Sequence, residues 1–170
     1  MALITFFIQL CLLRRTPQDL PASDALFWLV LAADLCAGLL IGLVGGLGLG
    51  ISLIQGGTQL ALLLGLLYLG LYFTRHPGRF TQSATALLGS GALISFIAAM
   101  VLTLNPTGSE ESDAATLGAI MLLVLMVWSI VVTGHIARHT FSISLGQGLS
   151  LAIAYEVVAV SLIAWLFAGA

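Results

Sequence analysis

The chain has 170 residues, of which 60% are apolar and only 7% charged, and its formal net charge is −2. An ordinary soluble domain carries roughly 25% charged residues, so this composition excludes a soluble globular protein and points to an all-α, polytopic transmembrane helical bundle lying in a lipid bilayer. The small net charge, with five arginines and no lysine, also excludes nucleic acid as a partner.

In chain order, the first apolar run is "ALITFFIQLCLL". Arg14 and Arg15 follow it and nothing basic precedes it, which is the reverse of a cleaved secretion signal. Twelve residues are too few to span a hydrocarbon core of roughly 30 Å, and Thr5 and Gln9 fall on one helical face. Residues 2–13 are therefore expected to form an amphipathic or re-entrant helix at the membrane surface, anchored by the two arginines. Cys11 and Cys36 both lie in apolar segments, and they read as small buried hydrophobes rather than as a disulfide or metal pair.

Residues 25–73 contain a single charge, Asp34, over about twice the length of one span. The glycine cluster Gly45 to Gly50 is the place for a turn, giving spans at 25–46 and 51–73. "TRHPGR" breaks the pattern with Pro77 and Gly78, and a third span follows at 82–104. "NPTGSEESDAA" is the one acidic loop. A fourth span covers 115–137, and after "ARHT" a fifth covers 142–168. All five arginines then fall on one side, which the positive-inside rule makes cytoplasmic. The N-terminus is expected inside, and Glu110, Glu111, Asp113 and the C-terminus outside. The lysine-free chain without a sorting signal points to a bacterial inner membrane.

Asp34 lies near mid-bilayer, where an aspartate costs roughly 2.5–3.5 kcal/mol on insertion scales. Glu156, in the fifth span, is the only other carboxylate at that depth. The pair can serve a proton or cation relay, because intramembrane acids facing a bundle interior mark ion pathways. Alternatively, each can be a neutral acid hydrogen-bonded across a helix interface. Gly38, Gly42 and Gly46 follow Asp34 at four-residue spacing. They are expected to form a flat stripe against which a neighbouring backbone packs, within the chain or between two copies. The small residues of "SISLGQGLSLAIA" offer a possible partner surface.

A basic cluster is expected at the cytoplasmic face: Arg75, His76 and Arg79 in one connection, and His135, Arg138 and His139 at the end of the fourth span. Its histidine spacing is a weak metal pattern, and contact with lipid phosphate or interfacial anchoring accounts for it better. No metal or other cofactor is expected. Ser90 sits between glycines in "LGSGAL" without the Gly-x-Ser-x-Gly elbow, and neither acid has a Gly-x-Gly-Asp setting, so no enzyme is expected.

Two segments, "PGRFTQSATALLGSGALISFIAAMVLTL" (77–104) and "VWSIVVTGHIARHTFSISLGQGLSLAIAYEVV" (127–158), resemble the third span and the last two spans of YIP-family membrane proteins. The five-span layout is similar too. The extended cytosolic region with Asp-Leu-Tyr-Gly-Pro that eukaryotic members carry has no counterpart in "PQDLP", so their Rab-binding role does not carry over. The resemblance implies a non-enzymatic membrane protein that binds partners. The expected function is accordingly an interaction, scaffold or assembly factor with a membrane-protein partner or a second copy of itself. The alternative is a proton- or cation-coupled transporter or channel subunit working through Asp34 and Glu156.

Overall fold

A computed structural model describes residues 2–104 and 112–167, and all its regular elements are helical. A short helix α1 (Ala2–Cys11) is followed by five long ones: α2 (Asp24–Val44), α3 (Leu49–Phe73), α4 (Phe80–Leu102), α5 (Asp113–Phe141) and α6 (Leu145–Leu166). Each of the five is long and apolar enough to cross a membrane. Their bounds lie within a few residues of those expected. The largest difference is at the end of α5, which continues four residues past 137 and carries Arg138 and His139 on its last turn. The loop residues 105–111 and the last residues of the expected fifth span, 168–170, lie outside the described residues.

Side-chain chemistry fixes the helix ends. The Ser23 hydroxyl accepts from Leu26 N–H at the start of α2, and Ser112 does the same for Ala115 at the start of α5. Each is followed by an aspartate in the first turn, where the helix dipole favours it. At the start of α6, Ser144 Oγ accepts from Gln147 N–H while Gln147 Oε1 accepts from Ser144 N–H, a reciprocal capping box. Ser144→Ala is expected to lower stability by about 1 kcal/mol, read as a reduced unfolding temperature in detergent. The α2–α3 turn is confined to Gly45–Gly48. Gly46 has φ +84°, with Leu47 N–H bonded to Gly42 O and Gly46 N–H to Leu43 O, which is the left-handed glycine stop of a helix.

The surface is apolar as well as the core, unlike that of a soluble protein. Large apolar side chains are exposed along every long helix, among them Leu29, Ile54, Ile97, Val124 and Val160. Aromatic residues stand exposed near both ends, Trp28 and Tyr72 at one and Trp165 at the other, as membrane–water interfaces favour. The core forms around α4, whose small residues Ser83, Ala84, Ala86, Gly89, Ser90 and Ala92 are buried and let neighbouring helices approach. A Cβ on Gly89 would overlap the Phe7 ring of α1.

That contact places α1 against α4. Gly89 is nine residues into α4, about 13 Å along its axis, so α1 inserts beside α4. Its buried face is Phe7, Leu10 and Cys11, and its outer face, Leu3, Ile4 and Ile8, is also apolar. The re-entrant form fits this arrangement. Thr5 is exposed on the same helix, and Gln9 Oε1 accepts from Arg15 Nε. Trp128 Nε1 donates to the Cys11 carbonyl at 2.9 Å and caps the end of α1. Cys36, expected to be buried, is instead exposed on α2.

The arginine-bearing segments gather at one end of the bundle. Arg79 Nη1 donates to the Thr140 carbonyl (3.1 Å) and to Ser142 Oγ (2.9 Å), tying the α3–α4 connection to the α5–α6 connection. His135 Nε2 is hydrogen-bonded to the Arg15 carbonyl at 3.0 Å, and Gln18 Nε2 donates to the His139 carbonyl. Between them, Thr16 N–H donates to Asp19 at 3.0 Å, and this bond holds the Asp19 carboxyl below its usual range.

Candidate functional site

A cavity of about 610 Å³ lies between the five long helices, and both Asp34 and Glu156 line it. Every long helix contributes a polar side chain to its wall: Asp34 from α2, Ser52, Gln55 and Gln59 from α3, Ser95 from α4, Ser129 and Thr133 from α5, and Tyr155 and Glu156 from α6. Asp34 is ten residues from the arginine end of α2, and Glu156 is eleven from the arginine end of α6. At 1.5 Å per residue, both stand about 15–16 Å from that end, near the middle of a roughly 30 Å hydrocarbon layer.

The acids are set among polar groups. Gly91 of α4 leaves room for Asp34, whose Oδ1 is 3.1 Å from where a Cβ on that glycine would stand. Tyr155 and Gln59 line the cavity together with the two acids. No buried side-chain nitrogen or oxygen is left without a hydrogen-bond partner among the described residues. The cavity extends away from the arginine end, past Gly42 to Gly45, Leu47, Leu102 and Ile163. Toward the arginine end it stops at Leu63, Leu87, Thr133 and Tyr155, which also bound a second, apolar cavity beyond.

Gly38, Gly42 and Gly46 do not form the expected continuous packing groove. Gly42 alone meets a neighbouring helix, since a Cβ there would overlap Ser52. Gly38 has nothing within 4 Å of its Cβ position and lines the cavity, while Gly46 lies past the end of α2 and makes the turn. The close glycine crossing is elsewhere. Gly134 of α5 faces Gly148 of α6, so the small residues at the start of α6 pack on α5 and not on the α2 stripe. A paired prediction follows. Gly38→Leu is expected to be tolerated within about 0.5 kcal/mol, whereas Gly42→Leu costs about 1–3 kcal/mol by overpacking, measured as unfolding temperatures of the two variants.

The basic residues divide. Arg75, His76 and Arg138 are exposed, Arg79 is tied to Thr140 and Ser142, and His135 is buried and clamps the segment after α1. The His135 and His139 rings meet edge to face at 4.7 Å. Among the described residues, no three His, Cys, Asp or Glu side chains come together as a metal group.

A lipid-suited exterior, five spanning-length helices and a polar interior at mid-depth define a polytopic integral membrane protein. Comparison with known proteins returns no matching family model, no matching curated protein and no matching solved structure.

Proposed function

We propose that this chain is a non-enzymatic membrane protein whose intramembrane cavity binds a small cation or a proton and exchanges it between Asp34 and Glu156. One observation carries the reading: the two mid-depth carboxylates of the spans come from opposite ends of the chain and line the same cavity. Burying an acid at mid-bilayer costs several kcal/mol, and two such costs converging on one cavity are better accounted for by a ligand than by packing. Polar sites of membrane carriers sit at this depth, and a concave site with a few converging polar groups is the general form of a small-ligand site.

The test is reconstitution into liposomes under an imposed membrane potential, with uptake of protons, Na⁺ and K⁺ each followed. Uptake of one of them above protein-free liposomes is the expected result. Absence of all three sinks the reading.

A second reading, an interaction or assembly factor, draws on a different observation. Exposed apolar side chains run the length of α3 and α6, and the cavity lies between them and the rest of the bundle, where a partner's transmembrane helix can place a polar residue. The resemblance of residues 77–104 and 127–158 to the YIP family supports this reading. A stoichiometric membrane-protein partner in mild-detergent purification is its expected result. For either reading we infer from the positive-inside rule that the arginine end faces the cytoplasm, and the lysine-free chain favours a bacterial inner membrane.

A further inference from the structure

The second cavity, of about 510 Å³, lies between α3, α5 and α6 in the half of the bundle nearer the arginine end. Its walls are apolar, with Leu67 and Phe73 from α3, Phe141 from α5, and Leu151 and Val158 from α6. Along α3 it runs from Leu63 to Thr74, eleven residues or about 16 Å at the helical rise. That is about half of a roughly 30 Å hydrocarbon core, the depth of one leaflet.

The chemistry changes at the arginine end of this groove. Thr140 and Ile143 are part of its lining, and the Arg79 guanidinium, outside that lining, donates to the Thr140 carbonyl and the Ser142 hydroxyl, both through Nη1. A guanidinium has five N–H donors on a planar fork, so its other edge remains to face an anion. Arg75 stands in the α3–α4 connection and Arg138 on the last turn of α5. The sequence has no Asp or Glu between Asp34 and Glu110 or between Asp113 and Glu156, so neither connection carries a compensating carboxylate.

We propose that this groove seats one acidic phospholipid of the leaflet at the arginine end, with an acyl chain along the α3 wall and its phosphate on Arg79. An apolar slot of one-leaflet depth fits the tail, and an arginine at the rim suits bidentate recognition of phosphate. A zwitterionic lipid offers the same tail and phosphate, but its headgroup cation is disfavoured beside Arg79, with Arg75 and Arg138 exposed at the same end of the bundle. Selectivity for an acidic headgroup follows.

The experiment is native mass spectrometry of the purified chain in neutral detergent, after addition of equal amounts of phosphatidylglycerol and phosphatidylcholine. One phosphatidylglycerol retained per chain, in preference to phosphatidylcholine, is the expected result. Arg79→Gln is expected to weaken that retention by about fivefold, the loss of one interfacial cation. Arg14→Gln, at the same end but away from the groove, leaves it unchanged. Because Arg79 also ties two connections together, Ala154→Trp provides a separate test. Ala154 is exposed on α6 and lines the groove, so tryptophan there blocks the tail with Arg79 intact, and retention falls. Equal retention of the two lipids by the unaltered chain overturns the proposal, as does an Arg14→Gln loss equal to that of Arg79→Gln. Full retention by Ala154→Trp also overturns it.

Discussion

Asp34→Asn is expected to reduce cation or proton uptake in reconstituted liposomes by at least about tenfold, equivalent to about 1.4 kcal/mol, and Glu156→Gln is expected to do the same. Each change keeps the shape of the side chain and its hydrogen-bonding capacity while removing the ionisable group, so it separates a charge-exchanging role from a packing role. The folded bundle is not expected to suffer. An amide at mid-bilayer avoids the cost of a charged group, and Asp34 faces the open cavity and Gly91 rather than a buried ion partner. Unchanged unfolding temperatures together with lost uptake are therefore the predicted signature. If the two acids act as one unit, the double variant is no worse than either single one, since groups that act as a unit lose their effects non-additively. Wild-type uptake by both single variants sinks the relay and leaves the interaction reading standing.

The five spans were legible because lipid exposure writes itself into composition. A helix whose outer face meets hydrocarbon needs no polar face, so long apolar runs identify it directly. The site was legible only in part. Asp34 and Glu156 stand out as lone charges in apolar runs, whereas Gln55 and Gln59 lie in "QGGTQ", a stretch whose glycines suggest a turn. In the structure they are four residues apart on one face of α3. Helix is retained through those glycines because an interrupted backbone in lipid leaves its own polar groups unpaired. That four-residue spacing was the available sign, and Tyr155, next to Glu156, was another. Gly46 shows the opposite difficulty. Four-residue spacing is equally compatible with a helical stripe and with a left-handed stop two positions beyond the last helical residue, and only the backbone angle separates the two. Pairing between helices was the least legible feature, since the Gly134–Gly148 crossing depends on how α5 and α6 meet, and no pattern within one helix records its neighbour.

Gly148→Leu is expected to cost about 3 kcal/mol or more, the upper end of what overpacking produces. A Cβ at Gly148 would overlap the Gly134 carbonyl oxygen and stand 3.1 Å from the Arg138 backbone nitrogen, and a Cβ at Gly134 would stand 3.0 Å from the Leu149 Cα. These neighbours are backbone atoms of two helices, which cannot rotate aside as a side chain can, so α5 and α6 must separate as bodies. In a bilayer that separation is expensive, because apolar burial does not drive spanning helices together and close packing carries much of their association. The same displacement moves Tyr155 and Glu156, which α6 alone supplies, away from Asp34, so uptake falls along with stability. Gly146→Leu is the control. It is only two residues away on α6, and nothing lies within 4 Å of its Cβ position, so its unfolding temperature is expected to match that of the unaltered chain. A Gly148→Leu chain unfolding at the same temperature as the Gly146→Leu chain overturns the close α5–α6 crossing, and with it the geometry that brings Glu156 to the cavity.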